Sequence, residues 1–206
     1  MTDLSARAAR GVFIVIDGID GAGKSTQVDR LCVWLRSQGY EVTQSREPTD
    51  GRWGKMIRAS ATTGRLSAED ELNAFIEDRR EHVATLIQPA LAKGNVVVVD
   101  RYFYSTVAYQ GLRGADTGSL LSEMRGEFPA PDLALFFDLP VDVALQRISE
   151  HRGDVPNEFE QEDALTEIRK SFHHMATQCA EVEVVDCTPT PDEIAENVIS
   201  RVQSVL

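Results

Sequence analysis

Lys24 and Ser25 close the run Gly18-Ile19-Asp20-Gly21-Ala22-Gly23-Lys24-Ser25, in which two glycines five apart precede a lysine and a hydroxyl. The spacing fits a phosphate-binding loop. In such a loop successive backbone N–H groups close around phosphate oxygens, and the helix that follows adds the partial positive charge of its N-terminus. Lys24 would reach the terminal phosphates of a nucleotide, and Ser25 a magnesium ion. The nucleotide-binding set is Gly18, Ile19, Asp20, Gly21, Ala22, Gly23, Lys24, Ser25 and Thr26. Further along, Val96-Val97-Val98-Val99 ends in Asp100. That carboxylate offers magnesium a second hard oxygen beside the loop, directly or through water. Arg46, Arg58, Arg79 and Arg101 add forked guanidinium groups. They suit an enzyme that must hold an anionic acceptor against an anionic donor.

The surrounding pattern supplies the elements that would position these groups. Residues 12–16 form a short apolar run suited to a buried strand, and Val28, Leu31, Cys32 and Leu35 recur at helical spacing just after the loop. Residues 40–45 read as a second strand, broken by the turn residues Arg46-Glu47-Pro48-Thr49-Asp50-Gly51. A short helix is expected over 54–62. A long one starts from the cap Ser67 and runs to about Leu91, with Leu72, Phe75, Val83, Leu86, Ile87 and Ala90 on one face and Arg79 a turn after Phe75. The run 96–99 suits a central parallel strand buried on both faces. Further strands are expected over 133–138 and 182–185, a helix over 141–148 with Pro140 in its first turn, a loop over 151–157, and a capping box at Thr190 and Glu193 with Pro191 at the first helical position. Strands alternating with helices imply one α/β domain over residues 1–206 with a five-stranded parallel sheet.

Bulk properties narrow the class. A chain of 206 residues with 42% hydrophobic residues suits one well-packed domain. Its net charge of −12 argues against a nucleic-acid partner. Residues 1–113 hold 15 of the 21 basic residues, so an anion site draws mainly on the first half. Cys32, Cys179 and Cys187 are odd in number and lack metal spacing, as expected of reduced thiols in a cytoplasmic protein. His173 and His174 are adjacent, which suits a solvated helix face better than a zinc site. No run resembles a signal peptide or a membrane span, so no membrane partner is expected.

Asp100-Arg101-Tyr102, Ser105-Thr106 and Ala108-Tyr109-Gln110-Gly111 together resemble the signature of the thymidylate kinase family, especially its bacterial form. Arg46-Glu47-Pro48 is similar to that family's acceptor-phosphate loop, and Phe75 with Asp78-Arg79 to its base-binding helix; the similarity runs from Phe13 to about Glu160. The resemblance implies a three-layer P-loop nucleotide kinase fold with helices on both faces of the sheet and a lid at about 149–160. It also implies a homodimer, a magnesium cofactor, and transfer of the γ-phosphate of ATP to dTMP, giving dTDP and ADP on the way to dTTP. Phe75 would stack on thymine, Arg79 and Gln110 would bond its edge with help from Thr106, and Arg58 would line the same pocket. Arg46 and Arg101 would grip the acceptor phosphate, Asp20 would approach the 3′-hydroxyl, and Tyr109 would fill the place of a 2′-hydroxyl.

The phosphate loop has no basic residue between Gly18 and Gly23, so a cation for the transition state should come from the lid, with Arg152 the candidate and Arg147 in support. Where many family members carry Asp-Arg-aromatic-Glu after the lid, this chain has Asn157-Glu158-Phe159-Glu160. Two other readings stand beside this one. One is a kinase of the same architecture for another monophosphate, such as dUMP or a modified deoxynucleotide, because Thr49-Asp50-Gly51-Arg52-Trp53 stands where many relatives carry glycines and would reshape the acceptor pocket. A non-catalytic nucleotide switch is the other, and it lacks an Asn-Lys-x-Asp motif.

Overall fold

The computed structural model describes residues 10–152 and 161–206. Most of the lid expected at about 149–160, and the side chain of Arg152, lie outside that description. Five strands form one parallel sheet: β1 (Val12–Gly18), β2 (Val42–Arg46), β3 (Val96–Asp100), β4 (Leu133–Asp138) and β5 (Val182–Asp186), in the order β2-β3-β1-β4-β5. Every residue of β3 from Val96 to Val99 is buried, as are those of β1 from Phe13 onward. Successive strand side chains point to opposite faces, so unbroken burial means that both faces of the sheet are covered.

Register brings the chemistry to one edge. Ile16 and Arg46 both pair with Asp100, and Gly18 pairs with Phe137, so the ends of β1, β2 and β3 open together at the C-terminal edge where parallel sheets bind ligands. Helices return the chain between strands: α1 (Lys24–Ser37), α2 (Arg52–Thr63), α3 (Ala68–His82), α4 (Gln88–Ala92), α5 (Phe103–Gly111), α6 (Thr117–Glu127), α7 (Val141–Arg152), α8 (Glu162–Gln178) and α9 (Pro191–Gln203). The Thr190 and Glu193 capping box opens α9 as expected. Pro140 stands just before α7 and its carbonyl accepts the first helical bond, from the N–H of Ala144.

The long helix departs from its expected form in two ways. Between α3 and α4 the chain widens into a π turn, Val83–Ile87, which ends two residues before Pro89. Proline has no N–H and its ring presses on the preceding turn, and the wider turn relieves that crowding while the rod continues. The second departure is its buried face. Leu72, Phe75 and Leu86 are only partly buried, whereas Glu71, Asp78, Arg79 and His82 are nearly fully buried. The end of the rod that faces the site is therefore polar inside.

Candidate active site

The phosphate loop is shaped by close backbone approach. A Cβ on Gly18, whose φ is 128°, would lie 2.4 Å from the carbonyl oxygen of Phe137; on Gly21, with φ 81°, it would lie 2.6 Å from that of Ala144. Only glycine fits either position. Helix α1 begins after Gly23 with no side-chain cap and no acidic residue in its first turn, which leaves its first N–H groups for an anion. Lys24 is 6% exposed and donates to the Ile19 carbonyl at 2.7 Å, spanning the loop from inside. Burial, reinforced by the Arg101 guanidinium, pushes its pKa down to about 8.

Ser25 Oγ donates to Asp100 Oδ2 at 2.6 Å. Asp100 Oδ1 is buried with no hydrogen-bond partner among the described residues. A buried, unbonded carboxylate oxygen is costly, and a hard cation satisfies it. Among the described residues no cluster of three or more His, Cys, Asp or Glu is placed to hold a metal alone, so phosphate and water oxygens would complete the shell.

Arg101 follows β3 with φ 69°, an uncommon left-handed conformation that turns its side chain back toward the loop. Its guanidinium pairs with Asp20, donates to Ser105 Oγ at 3.0 Å and lies over the Tyr109 ring at 5.4 Å. Tyr109 in turn donates its hydroxyl to Asp20 at 2.9 Å. Burial lowers the Arg101 pKa, but Asp20 and the other negative groups around it outweigh that and hold it well above the usual value. Beneath this triad Asp17 is fully buried and accepts four bonds: from the N–H groups of Gly18 (2.9 Å), Tyr102 (3.1 Å) and Ser105 (3.1 Å), and from Ser105 Oγ (2.6 Å). It thereby ties the start of the phosphate loop to the turn that carries Arg101. Burial raises the Asp17 pKa, against the opposing pull of Arg101.

Two cavities meet at this point. The smaller, about 230 Å³, is walled by Phe75, Arg79, Tyr102, Thr106 and Tyr109. The larger, about 650 Å³, holds the phosphate loop with Arg46, Arg58, Asp100 and Arg147. Asp20, Glu47, Pro48 and Arg101 line both. Most residues singled out in the sequence are thus brought together, with two exceptions in detail. Arg58 lines the larger cleft and not the smaller cavity, donating to the carbonyls of Pro48 (2.8 Å) and Thr49 (2.7 Å). Gln110 is buried beside the smaller cavity without lining it, its amide donating to Glu71 at 3.1 Å. Arg147 donates to the Cys187 carbonyl at 3.2 Å.

Sequence reasoning missed the buried polar supports. Arg79 is 1% exposed; its Nε and Nη2 donate to Glu47 Oε2 at 2.9 and 2.7 Å, and Nη2 also to Thr106 at 2.9 Å. Glu47 Oε1 meets His82 Nδ1 at 3.0 Å, and His82 Nε2 meets Ser45 Oγ at 2.8 Å. Glu71 is held by Arg65 and Arg113; burial pushes its carboxyl up, yet these two cations bring it below the usual carboxylate range. Asp78 accepts both the N–H and Oγ1 of Thr49 at 2.7 Å. One signal was available: four polar residues at positions 71, 78, 79 and 82 recur at the same helical spacing as the apolar face.

A glycine loop around a buried lysine, a serine–aspartate pair and an adjoining arginine-lined cavity on a parallel sheet define a P-loop nucleotide phosphotransferase. Comparison with known proteins narrows that class. The thymidylate kinase family model matches residues 16–198. A thymidylate kinase of Xanthomonas campestris pv. campestris (strain B100) is 48% identical over 185 residues, covering 89% of this chain and 79% of that protein. That of Xanthomonas oryzae pv. oryzae (strain PXO99A) is 47% identical over 184 residues, with 89% and 79% covered. That of Xylella fastidiosa (strain M12) is 42% identical over 196 residues, covering 95% and 88%. The chain belongs to the thymidylate kinase family.

Proposed function

We propose that the protein is a dTMP kinase, transferring the γ-phosphate of ATP to dTMP to give dTDP and ADP in the supply of dTTP. The observation that carries this reading is the junction of the two cavities at Arg101 and Asp20, where an acceptor in the smaller would present its phosphate to a donor in the larger. The donor phosphates would lie on the N–H groups of residues 18–26 with Lys24 among them. Magnesium, held by Ser25 and Asp100 through their oxygens, would neutralise charge on the donor phosphates when bound. Thymine would stack on Phe75 with its edge toward Arg79 and Thr106. Gln110 would act from its bond to Glu71, one step further out.

The acceptor phosphate falls to Arg101 and Arg46, joined by Arg58 from its place in the larger cleft. Asp20 and Tyr109, bonded to each other, would face the sugar. Arg152, with Arg147 in support, would bring positive charge as the lid closes. The remaining elements of this reading are a single kinase domain over 1–206, a homodimer, and a cytoplasmic setting. Among the described residues no helix is long and apolar enough to cross a membrane.

A coupled ADP-release assay with ATP and magnesium across a panel of nucleoside monophosphates tests the reading. dTMP is expected to give the highest kcat/KM. A preference for AMP, CMP or GMP would overturn it, and a preference for dUMP or a modified deoxynucleotide would move the substrate within the same class.

A further inference from the structure

Asp50 places one carboxylate oxygen between two arginines of the phosphate cleft. Its Oδ1 lies 2.9 Å from Arg58 Nη2 and 3.3 Å from Arg46 Nη2. All three side chains are exposed, Asp50 at 73%. The carboxylate is not what holds its loop. That loop is anchored by the two bonds from Thr49 to buried Asp78, by the bond from the Gly51 N–H to Thr49 Oγ1 (3.0 Å), and by Arg58 on the carbonyls of Pro48 and Thr49. Removing the Asp50 charge therefore leaves the loop's supports in place.

A carboxylate and a phosphate ask the same thing of a guanidinium, namely acceptor oxygens on its N–H fork. A nucleoside monophosphate carries a charge of about −1.5 to −2 at neutral pH, so Asp50 both occupies the donors such a phosphate needs and repels it. We propose that Asp50 sets acceptor affinity: its carboxylate stands in for the acceptor phosphate on Arg46 and Arg58, and must be displaced when the acceptor binds. This rests on the reading that those arginines face the acceptor phosphate. Exposed ion pairs are individually weak, so the displacement is easy and the penalty modest. The consequence is an acceptor site with higher KM and faster release than the arginines alone would produce.

Asp50→Asn and Asp50→Ala test the inference, with KM measured for dTMP and for ATP, and dTMP and thymidine binding measured by calorimetry. Both variants are expected to bind dTMP about three- to tenfold more tightly, with KM for dTMP falling in step, KM for ATP within about twofold, and thymidine binding unchanged. The gain should shrink between about 50 and about 300 mM salt, because the charges are exposed. Unchanged or weaker dTMP binding in both variants would overturn the inference, the weaker result making Asp50 a support for Arg58. Failure of the wild-type chain to phosphorylate dTMP would instead refute the proposed function, so the two failures are distinguishable.

Discussion

The two ends of the site, proposed as donor end and acceptor end, are built by different physics. At the donor end the main chain does most of the work: glycines allow the loop to close, the N–H groups of α1 are left uncapped, and Lys24 and Ser25 sit within the same short segment. At the acceptor end the cavity wall is side-chain matter, held by charged groups far apart in sequence. Glu47 pairs with Arg79 and also meets the His82 ring, and Glu71 pairs with Arg65 and Arg113. A site made of backbone can be specified by one contiguous motif. A site made of buried ion pairs needs every partner satisfied, because removing one member leaves an uncompensated charge in low dielectric.

That contrast predicts where substitutions will act. Lys24→Ala should cut turnover on the order of a thousandfold. It should leave the unfolding midpoint nearly unchanged, since it removes a buried charge and one bond to Ile19. Because burial holds the Lys24 pKa at about 8 while phosphate favours the ammonium form, ATP binding above that pH should take up a proton and weaken as pH rises. Calorimetry in buffers of different ionisation enthalpy would register the uptake in the wild type and its loss in Lys24→Ala. A variant that unfolds would break the distinction between the two ends.

Glu47→Gln should do the reverse, costing about 3 kcal/mol of stability because Arg79 would remain buried without its counter-charge. Asp20→Asn makes the matching test at the junction, where Arg101 is 21% exposed and solvent screens the loss; it should cost about 1 kcal/mol or less. Urea denaturation of both variants measures the gap. Equal losses would mean that burial is not what separates the two pairs.

The same contrast explains what could be read from the chain alone. The phosphate loop, the five strands, Asp100 and the Thr190 capping box were legible because each is a local pattern of residue type and spacing. Helices α5 and α6 were not read as elements, though Asp116 caps α6 by accepting from the Ser119 N–H. Helix α5 spans only Phe103–Gly111, and it buries Thr106 and Gln110 as well as Phe103, Tyr104, Val107 and Ala108, so its apolar period is too short to mark it and does not match its burial. Asp17 escaped notice for a different reason. Its meaning lies in four donors, three of them supplied by Tyr102 and Ser105 across the sheet, and no spacing within one segment announces that. Glu71 and His82 look like ordinary surface residues in sequence, and Glu47 and Asp78 stood out only as parts of motifs, since burial is a property of the fold.

The lid proposed at about 149–160 supplies the next test. With no basic residue between Gly18 and Gly23, charge that develops on the transferred phosphoryl group must be met from elsewhere. Arg152→Ala should lower kcat on the order of a hundredfold with little change in KM for ATP, as expected of a group that engages charge only in the transition state. Single-turnover measurements on Arg152→Ala and Arg147→Ala separately would assign the role. Unchanged transfer in the first variant would move it to Arg147 or Arg101.

A smaller effect on turnover is expected where the two ends touch. Tyr109 lines the acceptor cavity, yet its hydroxyl is spent on Asp20 of the phosphate loop and its ring lies under Arg101. Burial, with Asp20 adding to it, raises the phenol pKa above its ordinary value, so the hydroxyl stays protonated and keeps donating across the working pH range. A ring fixed in this way can reject a 2′-hydroxyl by bulk, independently of its own polar atom. Tyr109→Phe keeps the bulk and should retain the preference for dTMP over its ribo counterpart, 5-methyluridine monophosphate. Tyr109→Leu removes the ring and should narrow that preference by about tenfold, within the modest range by which pocket shape alone rejects an added hydroxyl. The ratio of kcat/KM for the two acceptors is the measurement, because it cancels any common loss from a loosened Arg101. If Tyr109→Phe narrows the ratio as much as Tyr109→Leu, discrimination depends on the Asp20 bond and so on the phosphate loop. The acceptor cavity would then borrow its sugar specificity from the donor end.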